Sequence, residues 1–416
     1  MNRKRFFGLV LFALATVALV AYRAYFFGLP TYLNVAFVVL LVYIILSFLG
    51  ETFIRVPLAE KYRLIESDFE PKVTIVIPVL NEADDILTTV NSALSSNYPK
   101  EKLEVIAVDD GSTDGTAEIL DSIRAENLRV IHFPKNKGKR EALYAAFKLA
   151  TGEIVVTIDS DTVIDPNCVM NIVSPFSNPE IGGVCGHVDV INENKNILTR
   201  MQAALYFVAF YITRKSESLY NTVVCISGCA AAYRLSAING LIDEWRNQKF
   251  LGAKCRDSED RGLTTMLLRS GFSTVYTSKA TTSTYVPEKF TKYVKQQIRW
   301  RRGFLREAIL GSKFMYQRRM GASIFFYANN FATILSPFVT IIWVFVLPVF
   351  FGWGLIGIYL VGAALTALGI SIYCKSGRAN YSITSMLLWS VFNLITNPLI
   401  SLYAYLTVRR GTWLTR

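Results

Sequence analysis

Charge and metal-binding chemistry are scarce in this sequence. Charged residues make up 18% of its 416 positions and hydrophobic ones 52%, whereas soluble domains carry about 25% charged residues. Histidine occurs twice. The six cysteines, Cys168, Cys185, Cys225, Cys229, Cys255 and Cys374, lack the paired close spacing of a zinc site, so a structural zinc module is not expected. Most of them lie in a central region that reads as cytosolic, where free thiols are expected. No Walker-type Gly-x-x-x-x-Gly-Lys-Ser/Thr segment occurs, which counts against a membrane transporter or receptor with a nucleotide-binding regulatory domain. Negative charge is also short, leaving a formal net charge of +12. The excess Lys and Arg sit beside apolar runs, where lipid headgroups or an anionic substrate suit them better than nucleic acid does.

What is abundant is apolar sequence gathered at the two ends. After Arg3, Lys4 and Arg5 comes a run from Phe6 to about Val20, and a second from about Tyr32 to Leu49. Each approaches the roughly 20 residues of a membrane span, and no small-residue cleavage site marks the first as a removable signal. Arg55, Lys61 and Arg63 follow the second run, so the positive-inside rule puts both flanks in the cytosol. Residues 1–52 are therefore expected to form two spans, with a cytoplasmic domain over 71–290. Residues 291–320 read as amphipathic and interfacial, and residues 321–408 as membrane again, with candidate spans near 323–351 and 354–373. The stretch 383–406 carries Asn397-Pro398, and a proline removes a helical hydrogen bond. A re-entrant hairpin there would return the tail, 409–416, to the cytosol.

The central region alternates strand and helix signals: Val73 to Pro78, a helical stretch from about Ala83, Glu104 to Val108, and Glu153 to Ile158. Such alternation implies an α/β domain with a mostly parallel sheet covered by helices on both faces, and ligands at the carboxyl ends of its strands. Polar clusters fall there: Asn81-Glu82, Asp109-Asp110-Gly111-Ser112 and Asp159-Ser160-Asp161. One acidic loop is usually a solvated turn. Two carboxylates at i and i+2 after a buried strand can instead bind a hard divalent cation, Mg²⁺ or Mn²⁺, that bridges diphosphate oxygens. Gly138-Lys139-Arg140 adds cations at a helix start, where anions are favoured. Farther on, Asp257-Ser258-Glu259-Asp260-Arg261 opens a helical pattern, and Gln296-Gln297-Ile298-Arg299-Trp300 lies in a basic amphipathic stretch from about Tyr293 to Met315. Their bland readings are an acid-rich helix start and a membrane-surface helix anchored by Trp.

In this order and between apolar flanks, Asp-Asp-Gly-Ser, Asp-Ser-Asp, Glu-Asp-Arg and Gln-x-x-Arg-Trp resemble the processive, inverting family 2 glycosyltransferases of GT-A fold: hyaluronan, chitin and cellulose synthases. Asn136 to Arg140, Asn196 to Arg200, Cys225 to Gly228 and Asn247 to Gly252 look most like hyaluronan synthases. Cys229 replaces their usual proline, Glu259 their usual aspartate, and the ending Gly411 to Arg416 rearranges their usual Trp-Gly-Thr-Arg. The resemblance implies UDP-sugar donors, UDP-GlcNAc with UDP-GlcA, and a growing polysaccharide that leaves between membrane helices of the cell membrane. It implies Asp260 as general base, and Pro78, Glu82, Asp109, Asp110, Lys139, Arg140 and Asp159 around the nucleotide sugar. Asp161 with Asp159 would hold the metal. Glu259, Arg261, Gln296, Arg299, Trp300, Trp413 and Arg416 would surround acceptor and diphosphate. The alternatives are a chitin oligosaccharide or poly-N-acetylglucosamine synthase and a dolichyl-phosphate sugar transferase.

Overall fold

The computed structural model describes residues 69–353, 356–357 and 383–410. The two amino-terminal runs, Trp413 and Arg416 lie outside the described residues, as does the candidate span 354–373 apart from 356–357.

Strand β1 (Val73–Val79) is buried at every position. It is flanked by β2 (Leu103–Asp109) and β4 (Ile154–Thr157), both parallel to it, and β3 (Leu128–His132) extends the parallel set. Beyond β4 the sheet turns mixed. Strand β7 (Ala231–Arg234) runs antiparallel to both β4 and β6 (Ile181–Val190). Strand β10 (Ser273–Thr284) is parallel to β6, and β5 (Thr162–Ile164) closes the edge antiparallel to it. The order is β3-β2-β1-β4-β7-β6-β10-β5, and β8 (Lys249–Phe250) and β9 (Ala253–Lys254) form a separate ribbon.

Side chains of β1 alternate between two cores. Ile75 and Ile77 pack with Ile86 and Val90 of helix α1 (Ile86–Leu94), on the face that also takes α4 (Cys168–Val173), while α2 (Thr116–Ser122) contributes Leu120. Val76 packs on the opposite face with Ala142, Leu143 and Phe147 of α3 (Lys139–Leu149). Each fully buried aliphatic side chain of this kind contributes roughly 1.5–3 kcal/mol. A sheet covered on both faces has only its strand ends open, and this fixes where a site can form.

Helix α5 (Ile197–Phe207) opens on an Asn196 capping box with Thr199 and continues as a π-helical turn over Val208–Arg214. Helix α6 (Glu259–Arg269) packs on α7 (Phe290–Ser312). Helix α8 (Met320–Ile341) continues to give an apolar helical run over Met320–Phe350, long and apolar enough to cross a membrane. Helix α9 (Ile383–Leu406), which holds the stretch expected to form a hairpin, bends by 43° between Asn393 and Ile395. Pro398 cannot donate to the carbonyl four residues before it, at 394, which is where the bend falls.

Candidate active site

The loops leaving the parallel strands are stitched together by side chain to backbone bonds. Ser112 Oγ accepts from the Asn81 amide at 2.9 Å, and Asn81 Oδ1 accepts from the Thr113 amide at 2.9 Å. The Glu82 amide donates to Thr116 Oγ1 at 2.9 Å. Gly111 has φ +75°, and a Cβ there would stand 2.7 Å from the Lys135 backbone, so the turn after β2 requires glycine.

Asp109 and Asp110 are buried at this crossing. Asp110 accepts from the Lys137 and Gly138 amides at 2.7 and 2.8 Å, so it fixes the loop that leads into α3. Burial nonetheless pushes its carboxyl above the usual range. Asp109 accepts from the Ser112 amide at 3.0 Å and meets His132 Nδ1 at 3.1 Å.

Lys139, the first residue of α3, reaches Asp159 Oδ1 at 2.5 Å and Glu259 Oε1 at 2.8 Å. Asp159 follows β4, and Glu259 begins α6, so one ammonium ties the sheet end to the helix start. Glutamate at 259 is long enough to make that reach. Gly228, just before β7, completes the convergence: its amide donates to Asp260 Oδ2 at 3.3 Å. A Cβ added to Gly228 would lie 3.3 Å from Lys139 Nζ and 3.6 Å from Asp159 Oδ1. The antiparallel pairing of β7 with β4 puts these residues side by side. Pro78 lines the same cleft. The Cys229 thiol donates to Asp159 Oδ2 at 3.0 Å.

These contacts separate the neighbouring acids. Burial raises the carboxyls of Asp159 and Glu259, but Lys139 outweighs it and holds both below the usual range, with Arg299 adding to the effect. Asp260 goes the other way: burial and then the Glu259 charge raise it, against the counter-effect of Lys139. Adjacent acids pushed apart in this way are the arrangement from which acid and base roles are made.

Trp300, on α7, is 36% exposed, and its ring lies 6.2 Å from that of Tyr206 on α5. The charges of Asp161 and Asp159 reach the Tyr206 phenol and, after burial and the Cys229 thiol, help to raise it. On the same helix Gln296 Oε1, Gln297 Nε2 and Arg299 Nε are buried without hydrogen-bond partners among the described residues. Arg261 lies over the Phe304 ring, 5.4 Å from its centroid, and its amide donates to Asp260 Oδ1 at 2.7 Å.

One expected site residue is turned away. The Arg140 guanidinium is buried, donates to the Trp245 carbonyl at 2.5 Å and to Gln248 Oε1 at 3.0 Å, and lies over the Trp245 ring. Lys139 and Arg140 are adjacent on a helix and so cannot share a face. Tyr206, Gly228 and Thr284 join the site without having been singled out. Of these only Gly228 carried a signal, in the Cys225 to Gly228 stretch.

For a divalent ion, the oxygen donors are Asp159 and Asp161. Asp161 is partly exposed, and its Oδ1 accepts from Thr284 Oγ1 at 3.2 Å. Among the described residues, no three His, Cys, Asp or Glu side chains converge into a cage. Hard oxygen donors in this number fit an ion such as Mg²⁺ that takes one or two carboxylates and completes its shell with substrate phosphate and water.

The sequence pattern of Glycosyl transferase family 2 matches residues 74–241. An N-acetylglucosaminyltransferase of Azorhizobium caulinodans is 31% identical over 85% of this chain and 90% of its own length. A hyaluronan synthase of Streptococcus pyogenes is 34% identical over 71% of this chain and 70% of its own. A mannosyltransferase of Pyrobaculum calidifontis, solved with GDP-Man and Mn²⁺, superposes with a TM-score of 0.55 at 18% identity, over 86% of this chain and 98% of that one. Its likeness identifies the α/β fold as GT-A-like. With the sequence pattern and a relative matched over 90% of its length in agreement, this chain belongs to glycosyl transferase family 2.

Proposed function

We propose that the protein is an integral cell-membrane enzyme that polymerises a β-linked glycan from UDP-sugars on the cytoplasmic face, with inversion at the anomeric carbon. The observation that carries this reading is the pairing of a raised, half-buried Asp260 with the Lys139-bound Glu259 and Asp159 in one cleft. Asp260 takes the proton from the acceptor hydroxyl as that oxygen attacks opposite the departing UDP. Lys139 and Arg299 supply positive charge where the diphosphate oxygens come to lie. Asp159 and Asp161 would hold Mg²⁺ or Mn²⁺, which stabilises the leaving diphosphate. Trp300 offers its exposed face to the acceptor sugar, and the partnerless polar atoms of Gln296 and Arg299 are available to it or to the donor. Pro78, Glu82, Asp109 and Asp110 shape the nucleotide pocket. The membrane reading is supported by the Met320–Phe350 helix and by the bent apolar helix α9.

The product is hyaluronan on this reading, made from UDP-GlcNAc and UDP-GlcA. The name of the Azorhizobium relative favours a second product, an oligomer of GlcNAc alone. Purified full-length protein with Mn²⁺ and radiolabelled UDP-GlcNAc, with and without UDP-GlcA, separates the two. Hyaluronidase-sensitive polymer that requires both donors supports the first, and chitinase-sensitive product from UDP-GlcNAc alone supports the second. Label transferred only to lipid phosphate, or no transfer at all, defeats both.

A further inference from the structure

Helices α6 and α7 meet at a point where no side chain fits. A Cβ at Gly303 of α7 would stand 1.8 Å from Ser258 Oγ and 2.3 Å from Ser258 Cβ, so the residue that opens α6 rests on bare helix backbone. Ser258 holds this place in a left-handed conformation, φ 53°, which is uncommon for a residue with a side chain.

The contact is locked by a buried polar chain. Arg306 of α7 bonds Asp257 twice, Nη1 to the carboxylate at 2.9 Å and Nη2 to the carbonyl at 2.7 Å. Arg306 Nε donates to Glu307 Oε1 at 2.9 Å, and the same oxygen accepts from Gln248 Nε2 at 3.0 Å. Gln248 Oε1 in turn accepts from Arg140, the residue turned away from the cleft. Gly262 of α6 lets the chain pass, since a Cβ there would be 2.9 Å from Gln248 Oε1. All five side chains are buried, and Asp257 Oδ2, Glu307 Oε2 and Arg140 Nε have no partner among the described residues. An interior charge network with unmet bonds is costly and a poor source of stability. Its geometry accounts for it better: Asp257 and Ser258 are pinned to α7 at 303–306. Asp260 follows two residues later, and Trp300 precedes Gly303 by three on the same helical face.

We propose that the Ser258–Gly303 contact and the Asp257–Arg306 pair form a latch that sets Asp260 relative to Trp300, and so the base relative to the acceptor. Gly303 and Arg306 are on this view positioning residues, and the inference rests on the roles given above to Asp260 and Trp300. Full-length enzyme tests it with G303A, the double variant S258G/G303A, and R306K. For each, kcat, the donor KM, UDP affinity with Mn²⁺ by calorimetry, and the folded fraction are measured. A displacement of the base of about 1 Å costs on the order of 10²-fold. G303A is expected to lose kcat by that order with donor KM and UDP affinity within about twofold, and S258G/G303A to recover most of the loss. Should G303A fail to fold, folded R306K is expected to show the same split between kcat and KM. Wild-type kcat in folded R306K or G303A, or a folded double variant without recovery, overturns the latch. A wild-type enzyme that transfers no sugar overturns the site reading itself, and this inference with it.

Discussion

Lys139 Nζ stands 2.5 Å from Asp159 Oδ1 and 2.8 Å from Glu259 Oε1, joining the end of β4 to the start of α6 through one ammonium. Replacing it leaves one buried carboxylate, Glu259, and one partly buried, Asp159, uncompensated. Breaking a buried ion pair from one side costs about 3–5 kcal/mol, and Asp159, whose side chain is 29% exposed, puts this case at the lower end. K139M is therefore expected to unfold at a lower temperature by an amount equivalent to about 3 kcal/mol and to lose sugar transfer. Unfolding in detergent and a transfer assay measure both, and an unchanged Tm would show that the bridge contributes nothing to the fold.

Loss of the proposed general base should separate chemistry from binding. D260N is expected to lower turnover on the order of 10²–10⁴-fold while UDP affinity is retained. The active form is the carboxylate, and burial with Glu259 raises its pKa above the ordinary 3.8. The acidic limb of kcat/KM should therefore lie above that value, with activity gained as pH rises through it. E259Q removes the neighbouring charge and should move the limb down. A limb that stays put would remove Asp260 from the titration.

Arg140 should behave as part of the core and leave the donor site unaffected. Its guanidinium satisfies the Trp245 carbonyl and Gln248 Oε1, and each acceptor left unmet costs roughly 1–3 kcal/mol. R140M is expected to destabilise the protein by that order with donor KM unchanged in the folded fraction. A large rise in donor KM at unchanged stability would return Arg140 to the nucleotide site.

His132 lies between Asp109 and Asp121, each 3.1 Å from a ring nitrogen. The Asp109 hydrogen bond, opposed by partial burial, raises its pKa above the ordinary 6.5. The fold thus favours the protonated ring. That stabilisation is complete below the unfolded value and is lost as pH rises through the folded one. The Tm deficit of H132Q should be larger at about pH 5.5 than at about pH 8.5, and equal deficits would show that the ring's charge does not matter.

Much of the site was legible because strand ends are local events. Buried runs such as Val73 to Val79 announce their burial by β-branched composition, and the polar residues that follow each run must emerge at one edge of a parallel sheet. The acid-rich start of α6 and the basic α7 were visible for the same local reason. Less visible was the antiparallel insertion of β7, which delivers Gly228 and Cys229 beside Asp159 through pairings more than 70 positions apart in the chain.

By itself the sequence determined the α/β alternation, the order of the acidic loops, and the apolar character of the ends, because each follows from residue type and spacing along a few turns or strands. Tertiary structure alone decided which of two adjacent cations, Lys139 or Arg140, enters the cleft, and which carboxylates that cation holds. Those outcomes depend on long-range contacts. The direction of a side chain is set by the surface its helix is packed against, and no local pattern records that surface.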